Sequence, residues 1–307
     1  MGKSFVLVNN SVDFIINLGF SDLNKPAREP TRKEDIIKEC LRYLALKDLN
    51  LCIQPGEKVA ICGRSGRYVH SSLKSQHQLM DCTSGKSSIL LLLLRLLDPV
   101  SCDCYNITID NIPLHKLNRQ NLRERIIAVP QDAVFLPEGS SVTANLDPLN
   151  SSSEAECRAV LEIVGLWKFI EERGGLSESF SAETLSQGQK QLFILARAVL
   201  RRKIRARDYD ADFGASTNDQ GRGGILLLDE VSSNVDQHTD LVMHTVIKEE
   251  FKGYTIVMVS HRLEMLIDFD TVVVMEEGSI VESGNPRILL NTNSSRFREL
   301  WRAGNNG

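Results

Sequence analysis

A short segment rich in glycine, lysine and serine is the first part of this chain whose residue types could do chemistry. It reads Ser84-Gly85-Lys86-Ser87-Ser88, and the leucines after it predict a helix from Gly85 to Leu97. Backbone N–H groups and the helix dipole attract anions at the start of a helix. The lysine of such a segment reaches the terminal phosphates of a nucleotide, and the serine after it binds Mg²⁺. The segment therefore predicts the second half of a phosphate-binding loop.

The first half of this predicted loop lies further upstream. A complete loop needs a glycine five residues before Gly85, and Met80 stands there. Gly63-Arg64-Ser65-Gly66 directly follows Lys58 to Cys62, an apolar segment that predicts a strand. When residues 67–83 are left out, the two halves join with the required spacing. We therefore interpret residues 67–83 as an insertion within the phosphate-binding loop.

Two adjacent carboxylates follow a fully apolar segment later in the chain. Residues 225–228 predict a strand buried in a parallel sheet, and Asp229 and Glu230 stand at its carboxyl end. Ligands bind at that end of parallel strands. Asp229 could hold Mg²⁺ through water, and Glu230 could polarise the attacking water of a hydrolysis. The alternative is a strand followed by the acidic start of a helix, without a catalytic role.

The segment Leu185-Ser186-Gln187-Gly188-Gln189 stands before a helix predicted to run from Gln187 to Arg201. Ser186 could be an ordinary helix N-cap. It could also act with the Gly188 amide and the helix N-terminus as a donor to a γ-phosphate. Such a site would be separate from the phosphate-binding loop, so it would serve a nucleotide held by a partner domain.

Together these segments resemble the nucleotide-binding domain of ABC transporters. The segment from Leu185 to Gln189 is similar to the signature motif of that family, with Gln187 where glycine is commoner. Val129-Pro130-Gln131-Asp132 resembles the family's Q-loop, and Ser232-Ser233-Asn234-Val235-Asp236 resembles its D-loop. Val259-Ser260-His261-Arg262-Leu263 resembles the segment that carries its switch histidine.

This resemblance implies an α/β fold with a RecA-like P-loop NTPase core. The core has a mostly parallel sheet, and the family adds an antiparallel β edge subdomain and an inserted α-helical subdomain, here at about residues 133–190. The implied cofactors are ATP and Mg²⁺, with two cassettes binding two nucleotides head to tail. The implied site residues are Glu230 and His261 for catalysis; Gly63, Gly66, Ser84, Gly85, Lys86, Ser87 and Ser88 for phosphate; Ser87, Gln131 and Asp229 for Mg²⁺; Leu185, Ser186, Gln187, Gly188 and Gln189 as the signature motif; Asp236 in the D-loop; and Tyr43 for stacking on adenine.

Finer features resemble one branch of the family. Residues 135–142 and 145–148 are similar to the C subfamily, which includes the multidrug resistance-associated proteins. Glu230 is similar to the acid of the second, catalytically competent cassette of those transporters. A polar, glycine-rich stretch at residues 202–223, which predicts a surface loop, resembles fungal members.

The predicted strands and helices must bring the candidate site residues together. The cassette is expected from residue 43 to 301, after a poorly matching segment at residues 1–42 and before a tail at residues 302–307. Strands alternating with helices favour an α/β fold with a largely parallel sheet. The predicted strands are residues 49–53, 58–62, 107–109, 125–129, 225–228, 255–259 and 271–275, and the predicted helices are residues 32–46, 85–97, 154–170 and 187–201.

Composition narrows the possible partners and location. Hydrophobic residues make up 42% and charged residues 25%, as in ordinary globular proteins. The formal net charge of -4 argues against a nucleic-acid partner, which usually meets a basic face. No apolar stretch reaches the roughly 18 residues of a membrane span. We expect the chain to act at the cytosolic face of a membrane, with a second nucleotide-binding domain and transmembrane domains as partners.

Three functions stay open from the sequence. The chain could be the ATP-hydrolysing cassette of an ABC exporter. It could be a fragment or mis-spliced product that keeps the fold without ATP turnover, because residues 67–83 interrupt the phosphate-binding loop. It could also be a soluble ABC ATPase that is not linked to transport. The transported substrate lies outside the sequence, since membrane domains determine it in this family.

Overall fold

The computed structural model of the protein describes residues 14–18, 46, 49–63, 85–97, 105–213, 223–232 and 235–305. The chain divides into two compact units. The described residues of one unit lie within residues 124–262, in the middle of the sequence, and we call it the central unit; those of the other, the flanking unit, lie within residues 13–123 and 263–307.

The described strands and helices follow in chain order. The strands are β1 (Phe14–Leu18), β2 (Asn50–Ile53), β3 (Lys58–Cys62), β4 (Tyr105–Ile109), β5 (Ile112–Pro113), β6 (Ile126–Val129), β7 (Ile225–Asp229), β8 (Thr255–Val259), β9 (Thr271–Glu276) and β10 (Ser279–Gly284). The helices are α1 (Lys86–Leu93), α2 (Arg119–Arg125), α3 (Val142–Leu146), α4 (Glu154–Ile163), α5 (Trp167–Glu171), α6 (Gln187–Phe213), α7 (Gln237–Glu250), α8 (Pro286–Asn291) and α9 (Arg296–Asn305). Short 3-10 turns are at Leu114–Lys116, Ala182–Thr184 and Leu263–Asp268.

The flanking unit contains an antiparallel sheet with the strand order β2-β1-β4-β5. Phe14 pairs with Ile53 of β2 on one side and with Ile109 of β4 on the other. In β2, Leu51 and Ile53 are buried while Asn50 and Cys52 are exposed, as the alternating sequence predicts. The strand β1 lies within residues 1–42, the segment that the family resemblance did not cover.

The flanking unit also contains β3, β9 and β10. β3 runs parallel to β9, and β10 pairs antiparallel with β9. The prediction of a strand at residues 58–62 is confirmed, and its last four residues are fully buried. The turn before β3 is fixed to β9 because Glu57 accepts a hydrogen bond of 2.6 Å from the Thr271 hydroxyl.

The helix α1 is shorter than predicted. It ends at Leu93, and Arg95 adopts a left-handed conformation with φ of 51°. The Arg123 guanidinium donates hydrogen bonds to the carbonyls of Leu94 and Arg95, which are among the unpaired groups at the end of the helix. The leucine pattern therefore located the helix but not its end.

The central unit contains the parallel strands β6, β7 and β8. Ile225 pairs with Ile126 of β6 and with Thr255 of β8. β8 and the first four residues of β7 are buried, as expected for strands inside a parallel sheet. The parallel strands, the antiparallel sheet and the helices between them confirm the predicted α/β class.

The helices α3, α4 and α5 and the start of α6 lie within residues 142–190. The helix predicted at residues 154–170 is two helices, α4 and α5, because the chain turns at Gly165 with φ of 74°. α4 begins with a reciprocal capping box between Ser153 and Glu156.

The prediction of a loop at residues 202–223 is wrong for residues 202–213, which continue α6 to Phe213. Three arginines attach this part of α6 to its surroundings. Arg202 pairs with Glu250 at 2.6 Å, and Arg207 pairs with Glu156 at 3.1 Å. Arg205 donates 2.6 Å to the carbonyl of Arg125. A solvated helix face has the same polar composition as a loop, which explains the error. Residues 214–222 lie outside the described residues.

Candidate functional site

The first half of the predicted phosphate-binding loop begins where β3 ends. Gly63 has φ of 150°, and a Cβ atom there would lie 2.0 Å from the carbonyl oxygen of Met275. The backbone of Gly63 thus passes so close to β9 that a side chain has no room. Gly66, Ser84 and residues 67–83 lie outside the described residues, as do residue 43 and the predicted adenine contact there.

Lys86 is the first residue of α1 and joins the two halves of the loop. Its side chain is buried, with the residue 2% exposed, and its Nζ donates a hydrogen bond of 3.3 Å to the carbonyl of Gly63. Gly85 before it has φ of 78°, while Ser87 and Ser88 are half-buried. A buried ammonium needs such polar partners. The structure therefore brings Gly63 and Lys86 together, although the insertion separates them in sequence.

The thiol of Cys62 lies next to these residues. Burial raises the pKa of Cys62 to about 12, although the positive charge of Lys86 acts in the opposite direction. The thiol is therefore protonated at neutral pH and is not a nucleophile.

In the central unit, the two predicted acids stand at the end of β7. Asp229 is its last residue, and Glu230 follows in a left-handed conformation with φ of 47°. The amide of Glu230 donates 2.9 Å to the carbonyl of Val259, the last residue of β8. This backbone hydrogen bond thus fixes where the Glu230 side chain begins at the end of the sheet.

His261 contacts Glu230 directly. Its Nε2 lies 2.7 Å from the Glu230 Oε1, and the two side chains are 37% and 16% exposed. The imidazole and carboxylate thus form a pair at the carboxyl ends of β7 and β8. The structure brings together these two residues, which the sequence resemblance had assigned to catalysis.

The signature segment has the geometry of a capped helix. Gln189 N donates 3.2 Å to the Ser186 hydroxyl, and Ser186 N donates 2.9 Å to Gln189 Oε1. Ser186 and Gln187 are exposed, whereas Leu185 and Gly188 are buried. A Cβ on Gly188 would lie 3.1 Å from the Thr239 side chain. Ser186 thus acts as a helix N-cap in the structure. Its exposed position also leaves it accessible to a partner.

Asp236, the residue expected in the D-loop, is the N-cap of α7. It accepts hydrogen bonds from the Thr239 hydroxyl at 2.6 Å and from the Thr239 amide at 3.0 Å. These two bonds lower the pKa of Asp236. Its role in the described structure is to begin the helix.

Sequence reasoning missed two polar side chains near these motifs. Arg262 Nη2 donates 2.7 Å to the carbonyl of Val235, and its Nη1 lies 3.2 Å from Asp240. Gln191 donates 2.6 Å to the backbone carbonyl of Gln131, whose own side chain is exposed. Both bond to backbone carbonyls distant in sequence, so neither spacing nor composition could have identified them.

The chain is similar to known ABC transporters. A profile of the family described as ABC transporter matches residues 82–204. The chain is 53% identical over 265 residues to the ABC-type transporter braE of Annulohypoxylon truncatum, covering 86% of this chain and 16% of that protein. It is 51% identical over 259 residues to the ABC transporter FGM5 of Gibberella zeae, covering 84% and 16%. It is 39% identical over 256 residues to the ABC multidrug transporter B of Aspergillus fumigatus, covering 83% and 15%.

Among solved structures, a bacterial Atm1-family ABC exporter with ATP bound has a similar fold. The TM-score is 0.69 at 24% sequence identity, covering 97% of this chain and 43% of that chain. The fold is therefore that of an ABC ATPase. Over most of its own length the chain is similar to fungal ABC transporters, and it spans 16% of the length of the first two relatives.

Every helix in the described part of the chain is either too short or too polar to cross a membrane.

Proposed function

We propose that this chain is the ATP-binding and ATP-hydrolysing cassette of an ABC exporter. The observation that carries the proposal is the hydrogen bond between Lys86 and Gly63. It supports the interpretation that both halves of the phosphate-binding loop are retained around the insertion. A buried ammonium at the start of α1 and a glycine without room for a Cβ fit a nucleotide phosphate.

In this proposal the residues of each unit have defined roles. Lys86 holds the terminal phosphates, with Ser84, Ser88 and the glycines of the loop supplying further donors. Ser87, Gln131 and Asp229 would hold Mg²⁺. When bound, Mg²⁺ neutralises charge on the phosphate oxygens. The oxygen-rich set of hydroxyl, amide and carboxylate is the chemistry that this ion prefers.

Glu230 and His261 would carry the hydrolytic step. The Glu230 carboxylate orients a water molecule and accepts its proton. His261 Nε2, at 2.7 Å from Oε1, fixes the carboxylate in one orientation. A base that is fixed before the reaction loses less freedom in the transition state.

The signature motif and the exposed loops would meet partners. Ser186 and Gly188 would serve the nucleotide of a second cassette, and Asp236 would lie at that interface. Val134 and Leu136, in the same loop as Gln131, are 71% and 41% exposed. Exposed apolar side chains of this kind suit contact with transmembrane domains at the cytosolic face of a membrane.

The finer assignment is also part of the proposal. We assign the chain to the C subfamily, as the second cassette of a multidrug resistance-associated type of fungal transporter. The intact Glu230 and the similarity to the Aspergillus fumigatus multidrug transporter support this assignment.

A second candidate function is a cassette fold without ATP turnover. It is favoured by the insertion of residues 67–83 between Gly63 and Lys86. Phosphate-binding turns depend on consecutive backbone N–H groups that point at one anion. An insertion within such a turn separates those groups along the chain.

One experiment distinguishes the two candidate functions. Two proteins are compared, the unmodified chain and the chain without residues 67–83. For each, the ATPase rate and the affinity for a fluorescent ATP analogue are measured. We expect weak binding with the insertion and stronger binding with measurable hydrolysis without it. Hydrolysis in neither chain would contradict the proposed function, and low-micromolar affinity with the insertion would show that the loop tolerates it.

A further inference from the structure

The loop that carries Gln131 is held by side chains of two helices. Residues 131–136 contain no helix or strand. Gln191 Nε2 donates 2.6 Å to the carbonyl of Gln131, and Arg197 Nη1 donates 2.5 Å to the carbonyl of Val134. The amide of Leu136 donates 2.9 Å to Asn145 Oδ1 on α3. Gln191 and Arg197 both belong to α6, so the helix that begins at the signature motif also holds the Gln131 loop.

Gln191 is enclosed at this junction. It is 1% exposed, and its amide orientation is fixed because a carbonyl can only accept a hydrogen bond. Its Oε1 is buried and has no hydrogen-bond partner among the described residues. An unpaired buried acceptor is unfavourable, so packing alone would suit an apolar residue better. The donor Nε2 is therefore the reason for a glutamine at this position.

Arg197 reinforces the same contact further along α6. Its guanidinium lies 5.0 Å from the ring centroid of Phe135 and 5.2 Å from that of Phe193. Its Nε also donates 2.5 Å to the carbonyl of Asn145. Burial lowers the pKa of Arg197 to about 10, which still leaves it charged at neutral pH. The contact between α6 and the loop thus combines hydrogen bonds with aromatic packing.

We propose that Gln191 is a positioning residue that couples the signature motif to the Gln131 loop within one chain. Gln191 lies one helical turn after Gly188, so a displacement of the helix start moves the donor that holds the Gln131 carbonyl. The proposal rests on the function proposed above, in which Gln131 serves one nucleotide and Ser186 serves the other. Gln191 then links the two nucleotides energetically, as coupling between two sites requires.

Amide hydrogen exchange on the full chain tests the hydrogen bond without nucleotide. Gln191→Met removes the donor and keeps a similar side-chain length. We expect the amides of residues 131–136 to exchange roughly fivefold faster than in the unmodified chain. Leu192→Met, at a residue on the same helix that is 8% exposed, should leave them unchanged. A rate increase spread equally over all peptides of the Gln191→Met chain would overturn the local role.

Gln191→Glu gives a readout that a purely structural role does not produce. The substitution is nearly isosteric, and burial raises the pKa of a carboxyl group. The protonated carboxyl can donate its O–H to the Gln131 carbonyl, whereas the carboxylate repels it. Exchange at residues 131–136, relative to the unmodified chain at the same pH, should be near normal at about pH 5 and faster at about pH 8. An equal ratio at both pH values would contradict the proposal.

A double-mutant cycle tests the coupling itself. Ser186→Ala removes the cap at the start of α6, and we expect faster exchange at residues 131–136. In the Gln191→Met chain, the same change at Ser186 should add little, because the connection is already broken. Additive effects would overturn the coupling, even in a chain that binds ATP normally. A chain that binds no ATP but shows the non-additive pattern would contradict the proposed function and support the coupling.

Discussion

Two regions of the candidate site differ in how the chain brings their residues together. In the flanking unit, Gly63 and Lys86 are 23 positions apart and are joined by a hydrogen bond of 3.3 Å across an insertion. In the central unit, Glu230 directly follows β7 and His261 is the second residue after β8, and the register of these strands places the two side chains at 2.7 Å. A sheet fixes the ends of its strands whatever the length of the loops elsewhere, since long surface loops cost little. A phosphate-binding turn has no such independence, because its function is the path of the loop itself.

Removing the charge at Glu230 should have the largest effect, and it tests the central-unit side of this comparison. In the chain without residues 67–83, Glu230→Gln should lower ATP hydrolysis by about 10²–10⁴-fold because the base is lost. ATP binding should persist, since the phosphate-binding residues are unchanged. Phosphate release and binding of a fluorescent ATP analogue measure the two quantities. Glu249→Gln, exposed on α7, is the matched control, and equal hydrolysis by both variants would refute the role of Glu230.

Gly63→Ala tests the flanking unit, where the backbone of Gly63 passes close to β9. The new Cβ would lie 2.0 Å from the Met275 carbonyl oxygen, so β3 or β9 must shift. We expect a loss of about 3 kcal/mol or more in the free energy of unfolding, measured with urea. Gly175→Ala is the control, because φ of 83° there is strained for alanine but no atom lies within 4 Å of the Cβ. It should cost about 1 kcal/mol, and an equal loss in both variants would show that the close approach is unimportant.

Arg262→Met asks whether the central-unit residues are held together independently of the phosphate-binding loop. It removes the bond to the Val235 carbonyl and the pair with Asp240. Unfolding with urea should show a loss of about 1–3 kcal/mol, because a half-buried carboxylate and a carbonyl lose their partner. Arg287→Met removes an exposed pair and should change stability by about 0.5 kcal/mol or less. The cost of Arg262→Met should be the same with and without residues 67–83; a different cost would contradict the independence of the two regions.

The smallest expected effect is a pH dependence at Asp236. The Thr239 hydroxyl and then the Thr239 amide lower the pKa of Asp236 below its ordinary value of 3.8. A lowered pKa in the folded state gives stability that is present above the unfolded pKa and is lost as pH falls through the folded pKa. The difference in thermal midpoint between the unmodified chain and Asp236→Asn should therefore be constant near neutral pH and change below about pH 4. A difference that varies between pH 6 and 8 would point to another group.

Much of the fold could be predicted because its signals are local. The strand at Lys58–Cys62 was predicted at its observed bounds, since four buried apolar residues stand between turn residues. The two acids at the carboxyl end of β7 were located for the same reason. The strand Phe14–Leu18 was missed because its evidence is pairing with β2 and β4, which are distant in sequence.

The candidate site was only partly predictable for a related reason. Motif spacing identified Lys86, Glu230 and His261, whose chemistry is carried by their own side chains. Gln191 and Arg262 act on backbone carbonyls of other segments, and every residue type offers such a carbonyl. The polar residues at 202–213 were assigned to a loop because their helix is stabilised by ion pairs with distant residues.

The left-handed backbone at Glu230 makes the residue that would be most stable at this position different from the residue that carries a carboxylate. A non-glycine residue at φ of 47° is strained by roughly 1 kcal/mol, and glycine would relieve that strain. Glycine would also delete the carboxylate that pairs with His261. Under the proposed function, selection for a more stable domain and selection for hydrolysis therefore favour different residues at position 230. A cassette that retains glutamate there has a less stable backbone and keeps the carboxylate that we propose to be the base of hydrolysis.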